Sequence, residues 1–227
     1  MEITSEGNNI VRIRYVDTTT AFGGVKQAVL KNKGKYSNRI SAIAFQALQE
    51  AGIPTHFISL ASDREQLCTR VEPIPIQFIV RNRLSGSTAV RLGLEAGTRI
   101  PCPVYEMRYL RKGSTIDPII GDSHAIAIGL ASEEDIRIMH RLVNEANDTL
   151  KELFHKAGIE LIDMKLEFGR DADGNLLVCS GISPDNCRLW DESDGRVLDK
   201  DRFRHDMSDV CSAYKEVMER LIKVSEQ

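Results

Sequence analysis

Apolar and polar residues follow regular periods through the first 85 residues of the chain. Alternation over residues 9–16 predicts a half-buried strand, and the stretches THFISLAS and IPIQFIVRN are also typical of strands. Between them, apolar residues at helical spacing predict a helix over 38–51 that ends at Gly52. We therefore expect an α+β N-terminal lobe over residues 1–85.

A second α+β lobe is predicted over residues 86–227. Ser132 is expected to cap a long helix that runs to about Lys156, because Asp135 stands in the capping-box position. Further along, an Asp-Gly turn between two alternating stretches indicates a hairpin. Its strands are predicted over residues 159–169 and 175–180.

Four other segments have weaker patterns. Prolines 101, 103 and 118 lead us to expect irregular structure over residues 97–124. RLSGST (83–88) is interpreted as a hinge or loop, and KNKGKYSN as a mobile surface loop, since it lacks the spacing of a phosphate-binding P-loop. A final helix is predicted over about 201–222.

Composition and charge restrict the class of protein. The chain has 227 residues, of which 42% are hydrophobic and 28% charged, as is typical of a globular protein with a real core. Its net charge of -3 argues against a nucleic-acid polymer as partner. No apolar run approaches the roughly 18 residues of a membrane span. The polar N-terminus and five scattered cysteines lead us to expect a cytoplasmic protein without a structural metal.

One predicted strand, LIDMKLEFG, carries most of the candidate chemistry. Because side chains alternate along a strand, Asp163, Lys165 and Glu167 share one face. A solvent-exposed face would also explain this row. However, the hairpin would bring a second charged set nearby, spaced three residues apart: Asp185, Arg188 and Asp191. Two converging sets of charges favour a cleft that binds ions or substrates.

A second cluster, VRNRLSGS, ends another predicted strand. Arg81 and Arg83 could bind phosphate, with Gly86 and Ser87 supplying backbone and hydroxyl donors. A solvated strand end explains the same residues equally well. His124, which follows GDS, is the one histidine kept as a candidate.

Several strings together are highly specific for one family, and they extend from about residue 9 to residue 222. On these strings the chain resembles the SAICAR (phosphoribosylaminoimidazole-succinocarboxamide) synthetase family. The resemblance implies a two-lobed α+β fold, related to ATP-grasp enzymes and protein kinases, with ATP between the lobes. The strings are DTTTAFGG, GIPTHFISLASDREQL, IVRNRLSGS, RLGLEAG, DPII, LIDMKLEFG, ISPDNCRLWD and LDKDRFR.

The resemblance also implies a reaction and a site. The family uses ATP to activate the carboxylate of carboxyaminoimidazole ribonucleotide, and the amine of aspartate then displaces phosphate. By position, Lys165 is implied to be a substrate-side lysine, and Glu167 one of two carboxylates that hold Mg²⁺–ATP. Five residues are implied to hold the ribonucleotide and its 5′-phosphate: Arg81, Ser87, Asp185, Arg188 and Arg204.

Three departures from the family pattern concern the ATP side. The family has Asp-Glu where this chain has Ser180-Gly181, so one of the two magnesium carboxylates is missing. The resemblance starts after the family's GKxK-type hairpin, which covers the ATP phosphates, and we expect that hairpin to be absent. Arg111 replaces the usual lysine, and Lys112-Gly113 replaces Asn-Asp. We therefore expect no metal site, and no role for ATP or Mg²⁺ unless the protein is an ordinary ligase.

These departures make a diverged paralogue the leading hypothesis. It would bind a phosphoribosyl imidazole- or purine-type nucleotide and transform it without ATP, by ring opening and re-closure, as in coformycin-type nucleoside antibiotic biosynthesis. The alternatives are the ATP-dependent ligase of purine biosynthesis and a non-catalytic nucleotide-binding subunit. We also expect a homo-oligomer. The candidate proton carriers are Asp163, Lys165, Glu167, Asp185, Asp191 and His124.

Overall fold

The computed structural model of the chain describes residues 1–7, 9–114 and 117–226. The fold is α+β, as predicted, and no helix in these ranges is long and apolar enough to cross a membrane. The strands are β1 (Glu2–Gly7), β2 (Ile10–Arg14), β3 (Thr18–Ala21), β4 (Lys26–Val29), β5 (Phe57–Ser62), β6 (Glu65–Thr69), β7 (Glu72–Leu84), β8 (Thr98–Tyr109), β9 (Ile119–Ile120), β10 (Ile159–Arg170), β11 (Leu176–Cys179) and β12 (Cys187–Asp191). The helices are α1 (Lys33–Glu50), α2 (Gly86–Leu92), α3 (Asp122–Ala127), α4 (Glu133–Lys156), α5 (Asp201–Arg204) and α6 (Val210–Ser225).

The strands form two larger sheets and one separate hairpin. The smaller sheet has the order β1-β2-β6-β5, and within the described ranges β3 and β4 form a separate two-stranded sheet. The larger sheet has the order β11-β10-β7-β8-β9, and β12 joins it by pairing with β10. β10 pairs with β7 along one edge, and along the other edge with β12 at its beginning and β11 at its end. This places the charged strand of the sequence in the interior of the sheet.

The apolar side of β10 forms the main core. Met164, Leu166 and Phe168 are buried there together with Leu150 and Phe154 of α4. Each fully buried side chain of this size contributes about 1.5–3 kcal/mol through the hydrophobic effect. The alternation predicted for this strand is confirmed, and it leaves the charged side of β10 facing away from the core.

The division of the chain differs from the predicted lobes. The chain passes from the smaller sheet to the larger sheet between β6 and β7. The predicted boundary at residue 85 instead falls at the end of β7, which belongs to the larger sheet. Helix α1, from the first part of the chain, packs against α4 and α6. Both parts therefore contribute to one hydrophobic core.

The irregular structure predicted over residues 97–124 is wrong for most of that segment, although residues 115–116 lie outside the described ranges. β8 is a long strand that pairs with β7. Its prolines, Pro101 and Pro103, lie where the register shifts, between the pairs that include Val104 and Arg99. A proline is tolerated at such an irregularity because the ladder does not need its missing N–H.

The single final helix is also wrong, because residues 205–209 separate α5 from α6. Asp206 and Asp209 have φ angles of 53° and 59°. These left-handed conformations cannot continue a right-handed helix, and aspartate is one of the few residues that adopts them readily. Arg202 stabilises the turn by donating hydrogen bonds to the carbonyl of Ser208.

Two predicted loops are helix starts in the structure. RLSGST contains the end of β7 and the beginning of α2, so only Ser85 lies between them. KNKGKYSN contains the beginning of α1, and Lys33 within it is only 6% exposed. The mobile surface loop predicted there is therefore wrong.

The cap of α4 provides a test of the fold. Ser132 Oγ accepts from the N–H of Asp135 at 3.1 Å, and the Asp135 carboxylate accepts from the N–H of Ser132 at 3.0 Å. We expect Ser132→Ala to cost about 1 kcal/mol of unfolding free energy and to lower Tm by roughly 2–4 °C in calorimetry. Ser132→Asp should retain the parent Tm, because aspartate also caps helices. An unchanged Tm in the alanine variant would contradict the cap.

Candidate functional site

The charged side of β10 lies in a cleft made of two connected pockets. Asp163 and Lys165 line the first pocket and Glu167 lines the second. Asp185 and Asn186 line both pockets and mark the place where they meet. The row of charges predicted from LIDMKLEFG therefore forms the wall of a cleft.

The first pocket, here called the arginine pocket, has a volume of about 200 Å³. Strands β7, β8, β10 and β12 and helices α2 and α5 contribute its walls. The structure brings together here Lys165 and all five residues that the family resemblance assigns to the ribonucleotide: Arg81, Ser87, Asp185, Arg188 and Arg204. A residue of β8 that the sequence analysis did not single out, Arg108, lines it as well.

Asp163 orders the arginines of this pocket. Its Oδ2 accepts from Arg81 Nη1 at 2.8 Å, from Arg188 Nη1 at 2.7 Å and from Ser85 Oγ at 2.6 Å. Arg81 also donates to the carboxylate of Glu106 at 3.1 Å. Because three donors already bind this buried carboxylate oxygen, Asp163 is suited to positioning guanidinium groups and poorly suited to the proton transfer expected for it.

A second carboxylate, Asp201, links Arg188 to Arg204. Arg188 Nε donates to Asp201 Oδ2 at 2.7 Å, and Arg204 Nη1 donates to Asp201 Oδ1. Burial opposes the charge of Arg188, but Asp163 and Asp201 outweigh it and raise the pKa of Arg188. The guanidinium lies against Gly86, where a Cβ atom would be 2.8 Å from Arg188 Nη2. A side chain at position 86 would therefore displace Arg188.

The second pocket, here called the threonine pocket, has a volume of about 320 Å³. Thr18, Thr19 and Thr20 of β3 form one side of it, and Glu167 of β10 lies in its wall. Its lining also includes hydroxyl and ammonium groups from Ser180, Ser183, Lys33 and Lys200. Thr19 Oγ1 is buried and has no hydrogen-bond partner among the described residues.

Asp185 connects the two pockets through ion pairs. It accepts from Lys33 Nζ at 2.7 Å, and Lys200 Nζ lies 3.5 Å from its other oxygen. Burial raises the pKa of this carboxyl, but Lys33 and Lys200 outweigh burial and hold it below its usual value. Asp185 thus orders two lysines that the sequence analysis did not select.

Lys33 could have been found from helical periodicity. Ser37, Ile40 and Ala44 of α1 are buried and stand four, seven and eleven residues after Lys33. Extending the predicted helix backwards along this buried face reaches Lys33. Lys200, in contrast, precedes the one-turn helix α5, and no periodic pattern identifies it.

Ser180-Gly181 forms a close-packed turn at the end of β11. Ser180 has a φ of 75°. A Cβ at Gly181 would lie 2.7 Å from Tyr15 Oη, so only glycine leaves room for that ring. Tyr15 Oη lies 2.9 Å from Ser41 Oγ, which in turn accepts from the N–H of Ile182 at 3.1 Å. The turn is therefore built around Tyr15 and presents the Ser180 side to the threonine pocket.

The threonine pocket has suitable groups for a polyphosphate that carries Mg²⁺. No group of three or more His, Cys, Asp or Glu side chains suited to a metal ion occurs in the described ranges. Magnesium bound to a nucleotide, however, needs only one or two carboxylates in addition to phosphate oxygens and water. Glu167 supplies a carboxylate, whose Oε1 accepts from Gln77 Nε2 at 2.6 Å. The orphan Thr19 hydroxyl and the ammonium groups of Lys33 and Lys200 suit phosphate oxygens.

Three of the candidate residues lie outside both pockets. Asp191, at the end of β12, accepts from Ser193 Oγ at 2.5 Å and from Arg220 Nη2. His124 lies in α3, where its Nδ1 accepts from the N–H of Gly121 at 3.2 Å. Arg83 donates to the carboxylate of Glu160, at 2.6 Å from Oε2. The structure does not bring these three side chains to the cleft.

Comparisons with known proteins agree on one family. The sequence profile of SAICAR synthetase matches residues 3–221. A phosphoribosylaminoimidazole-succinocarboxamide synthase of Clostridium beijerinckii is 44% identical over 220 residues, which are 97% of this chain and 93% of the relative. The crystal structure of the synthase from Ehrlichia chaffeensis superimposes with a TM-score of 0.93 at 35% identity, over 96% of this chain and 94% of that one. A SAICAR synthetase in complex with ADP also has a TM-score of 0.93, at 37% identity over 96% of this chain and 93% of that one.

The ATP-free function expected from the sequence is wrong. Relatives of nearly the same length carry the name of the ligase, and one related structure contains ADP. Nothing in these comparisons supports a role in coformycin-type antibiotic biosynthesis or a departure from ligase chemistry. The physical reason is that Ser180-Gly181 removes only one of the two carboxylates that the resemblance assigns to Mg²⁺, whereas Glu167 and the lysines of the threonine pocket remain.

Asp191 provides a test that separates stability from activity. Hydrogen bonds from Ser193 and the charge of Arg220 hold the pKa of Asp191 well below its usual value, against the effect of burial. The ionised form therefore stabilises the fold at neutral pH, and this contribution is lost as the pH falls below about 4. We expect Asp191→Asn to cost about 1.5–3 kcal/mol at pH 7 in denaturant unfolding, with a difference that shrinks toward pH 2.

The same variant should leave turnover per folded molecule unchanged, because Asp191 touches neither pocket. If Asp191→Asn is as stable as the parent but has reduced turnover, the structural role of Asp191 is wrong and a catalytic role is again indicated.

Proposed function

This chain belongs to the SAICAR synthetase family, and from that premise we propose that it is an ATP-dependent ligase. It would join the amine of aspartate to the carboxylate of carboxyaminoimidazole ribonucleotide, with conversion of ATP to ADP and phosphate. The observation that carries the proposal is the pair of pockets that meet at Asp185 and Asn186. A ribonucleotide in one pocket and ATP in the other would have their reacting groups side by side.

The arginine pocket would hold the ribonucleotide. Arg188 and Arg204 are fixed by Asp201, so their guanidinium groups need little reordering when an anion binds. Ser87 adds a hydroxyl to the same wall. Lys165, two residues before Glu167 on β10, lines the same pocket.

The threonine pocket would hold the phosphates of ATP. Lys33, Lys200 and the free Thr19 hydroxyl are the groups that suit phosphate oxygens, and Glu167 would hold the Mg²⁺ that accompanies ATP. When bound, that ion supplies neutralisation of the charge that develops on the transferred phosphoryl group. The pairing of Asp185 with both lysines keeps their positions fixed between the two substrates.

Other expectations from the sequence remain predictions. A homo-oligomer, a cytoplasmic location and the absence of a nucleic-acid partner are proposed on the same grounds as before. Asp163 is now proposed as a positioning residue, Lys165 is proposed to contact the ribonucleotide, and Glu167 is proposed to contact the reacting groups.

The reaction itself provides the first test. Purified protein with carboxyaminoimidazole ribonucleotide, aspartate, ATP and Mg²⁺ should form ADP and a product heavier by one aspartate minus water, detected by mass spectrometry. Omission of any one substrate should abolish product. Conversion of the ribonucleotide in the absence of ATP and aspartate would contradict the ligase.

Glu167 provides the second test. Glu167→Gln keeps the shape and removes the charge, so we expect turnover to fall roughly 10²- to 10³-fold and the Mg²⁺ requirement to rise. Glu160→Gln on the same strand is the matched control, because Glu160 pairs with Arg83 away from the cleft. A Glu167→Gln enzyme with parent turnover and parent Mg²⁺ dependence would show that this carboxylate does not hold the metal.

A further inference from the structure

Arg108 differs from the other arginines of the arginine pocket in having no carboxylate partner among the described residues. Arg81 pairs with Asp163, and both Arg188 and Arg204 pair with Asp201. Arg108 Nη2 donates only to the hydroxyl of Ser87, at 3.2 Å. Its Nε is shielded from solvent and has no hydrogen-bond partner in the described part of the chain. A buried donor without a partner costs free energy unless a ligand satisfies it.

Lys165 is the second cation of the pocket that lacks an ion pair within the described ranges. It lines the same pocket as Arg108, Arg188 and Arg204. Two uncompensated cations in a pocket of about 200 Å³ repel each other, and low solvent access strengthens that repulsion. The pocket is therefore electrostatically incomplete without an anion.

The strand β8 determines that Arg108 reaches this place. Glu106 and Arg108 are two residues apart, so their side chains leave the strand on the same face. Glu106 binds Arg81, which lines the pocket, and Arg108 lines the pocket itself, so that face of β8 is turned toward the cleft. Met107, between them, is buried in the core on the opposite face.

We propose that Arg108 is a further substrate-binding residue, which together with Lys165 and Ser87 takes the phosphomonoester of the ribonucleotide. A phosphomonoester carries about -1.5 to -2 charges at neutral pH, which matches two uncompensated cations. A carboxylate would neutralise only one of them. The identity of the ribonucleotide rests on the proposed function, whereas the need for a dianion rests on the charges of the pocket.

The test measures binding without ATP or aspartate, so that it does not depend on catalysis. The probes are aminoimidazole ribonucleotide and the corresponding nucleoside without phosphate, titrated calorimetrically. We expect Arg108→Met to raise the Kd of the ribonucleotide about ten- to a hundredfold and to leave nucleoside binding unchanged. Arg108→Lys should recover part of the loss, because it restores the charge without the guanidinium fork.

Arg99→Met is the matched control, since Arg99 lies on the same strand, is exposed and has no ion pair in the described ranges. It should bind the ribonucleotide with the parent Kd. An unchanged Kd in Arg108→Met, or an equal loss of ribonucleotide and nucleoside binding, would overturn the proposal. If Arg108→Met does not fold, Arg108→Lys is used in its place. The proposal is also overturned if Arg108→Lys binds the ribonucleotide with the parent Kd and keeps the parent ratio between the Kd values of ribonucleotide and nucleoside.

The result also separates this inference from the proposed function. If the parent protein ligates aspartate but Arg108→Met binds the ribonucleotide as tightly as the parent, the proposed function stands and the role of Arg108 is wrong. If the parent protein does not ligate aspartate but Arg108→Met binds the ribonucleotide more weakly, the phosphate site stands and the proposed function is wrong.

Discussion

The buried carboxylate of Asp163 is the interaction on which the arginine pocket depends. Asp163 lies in the interior strand of the larger sheet, and one of its oxygens binds Arg81, Arg188 and Ser85. Removal of one partner from a buried ion pair leaves an uncompensated charge, at a cost of about 3–5 kcal/mol. The two arginines are therefore held in place before any substrate arrives. Because these donors already bind that oxygen, a positioning role suits Asp163 better than proton transfer.

Asp185 plays the corresponding role between the two pockets. It pairs with Lys33 at the start of α1 and with Lys200 before α5, which are far apart in the sequence. The pairing joins the first part of the chain to the last at the point where two substrates would meet. In both pockets, then, a carboxylate orders cations. Arg108 and Lys165, which have no ion pair within the described ranges, are the cations proposed to bind an anionic ligand.

The turn at Ser180-Gly181 shows how a change in sequence can be overinterpreted. Seen along the chain, it replaces two acidic residues and suggests a lost nucleotide site. In the structure, Gly181 makes room for Tyr15, and the pocket keeps Glu167 together with two ammonium groups. Magnesium on a nucleotide takes most of its oxygens from phosphate and water. Under the proposed function, the loss of one carboxylate would therefore weaken the magnesium site without removing it.

The sequence by itself determined the local elements and the charged row, because strand alternation and helix caps depend on neighbours in the chain. The strand LIDMKLEFG and the capping box at Ser132 were predictable for that reason. Long-range pairing decided the rest. β8 exists despite its prolines because β7 pairs with it around a shift in register. Lys33, at the start of α1, has its ammonium group bound by Asp185, more than a hundred residues later. Only the tertiary structure could show which cations are already neutralised, since an ion pair between distant strands leaves no periodic signal in the sequence.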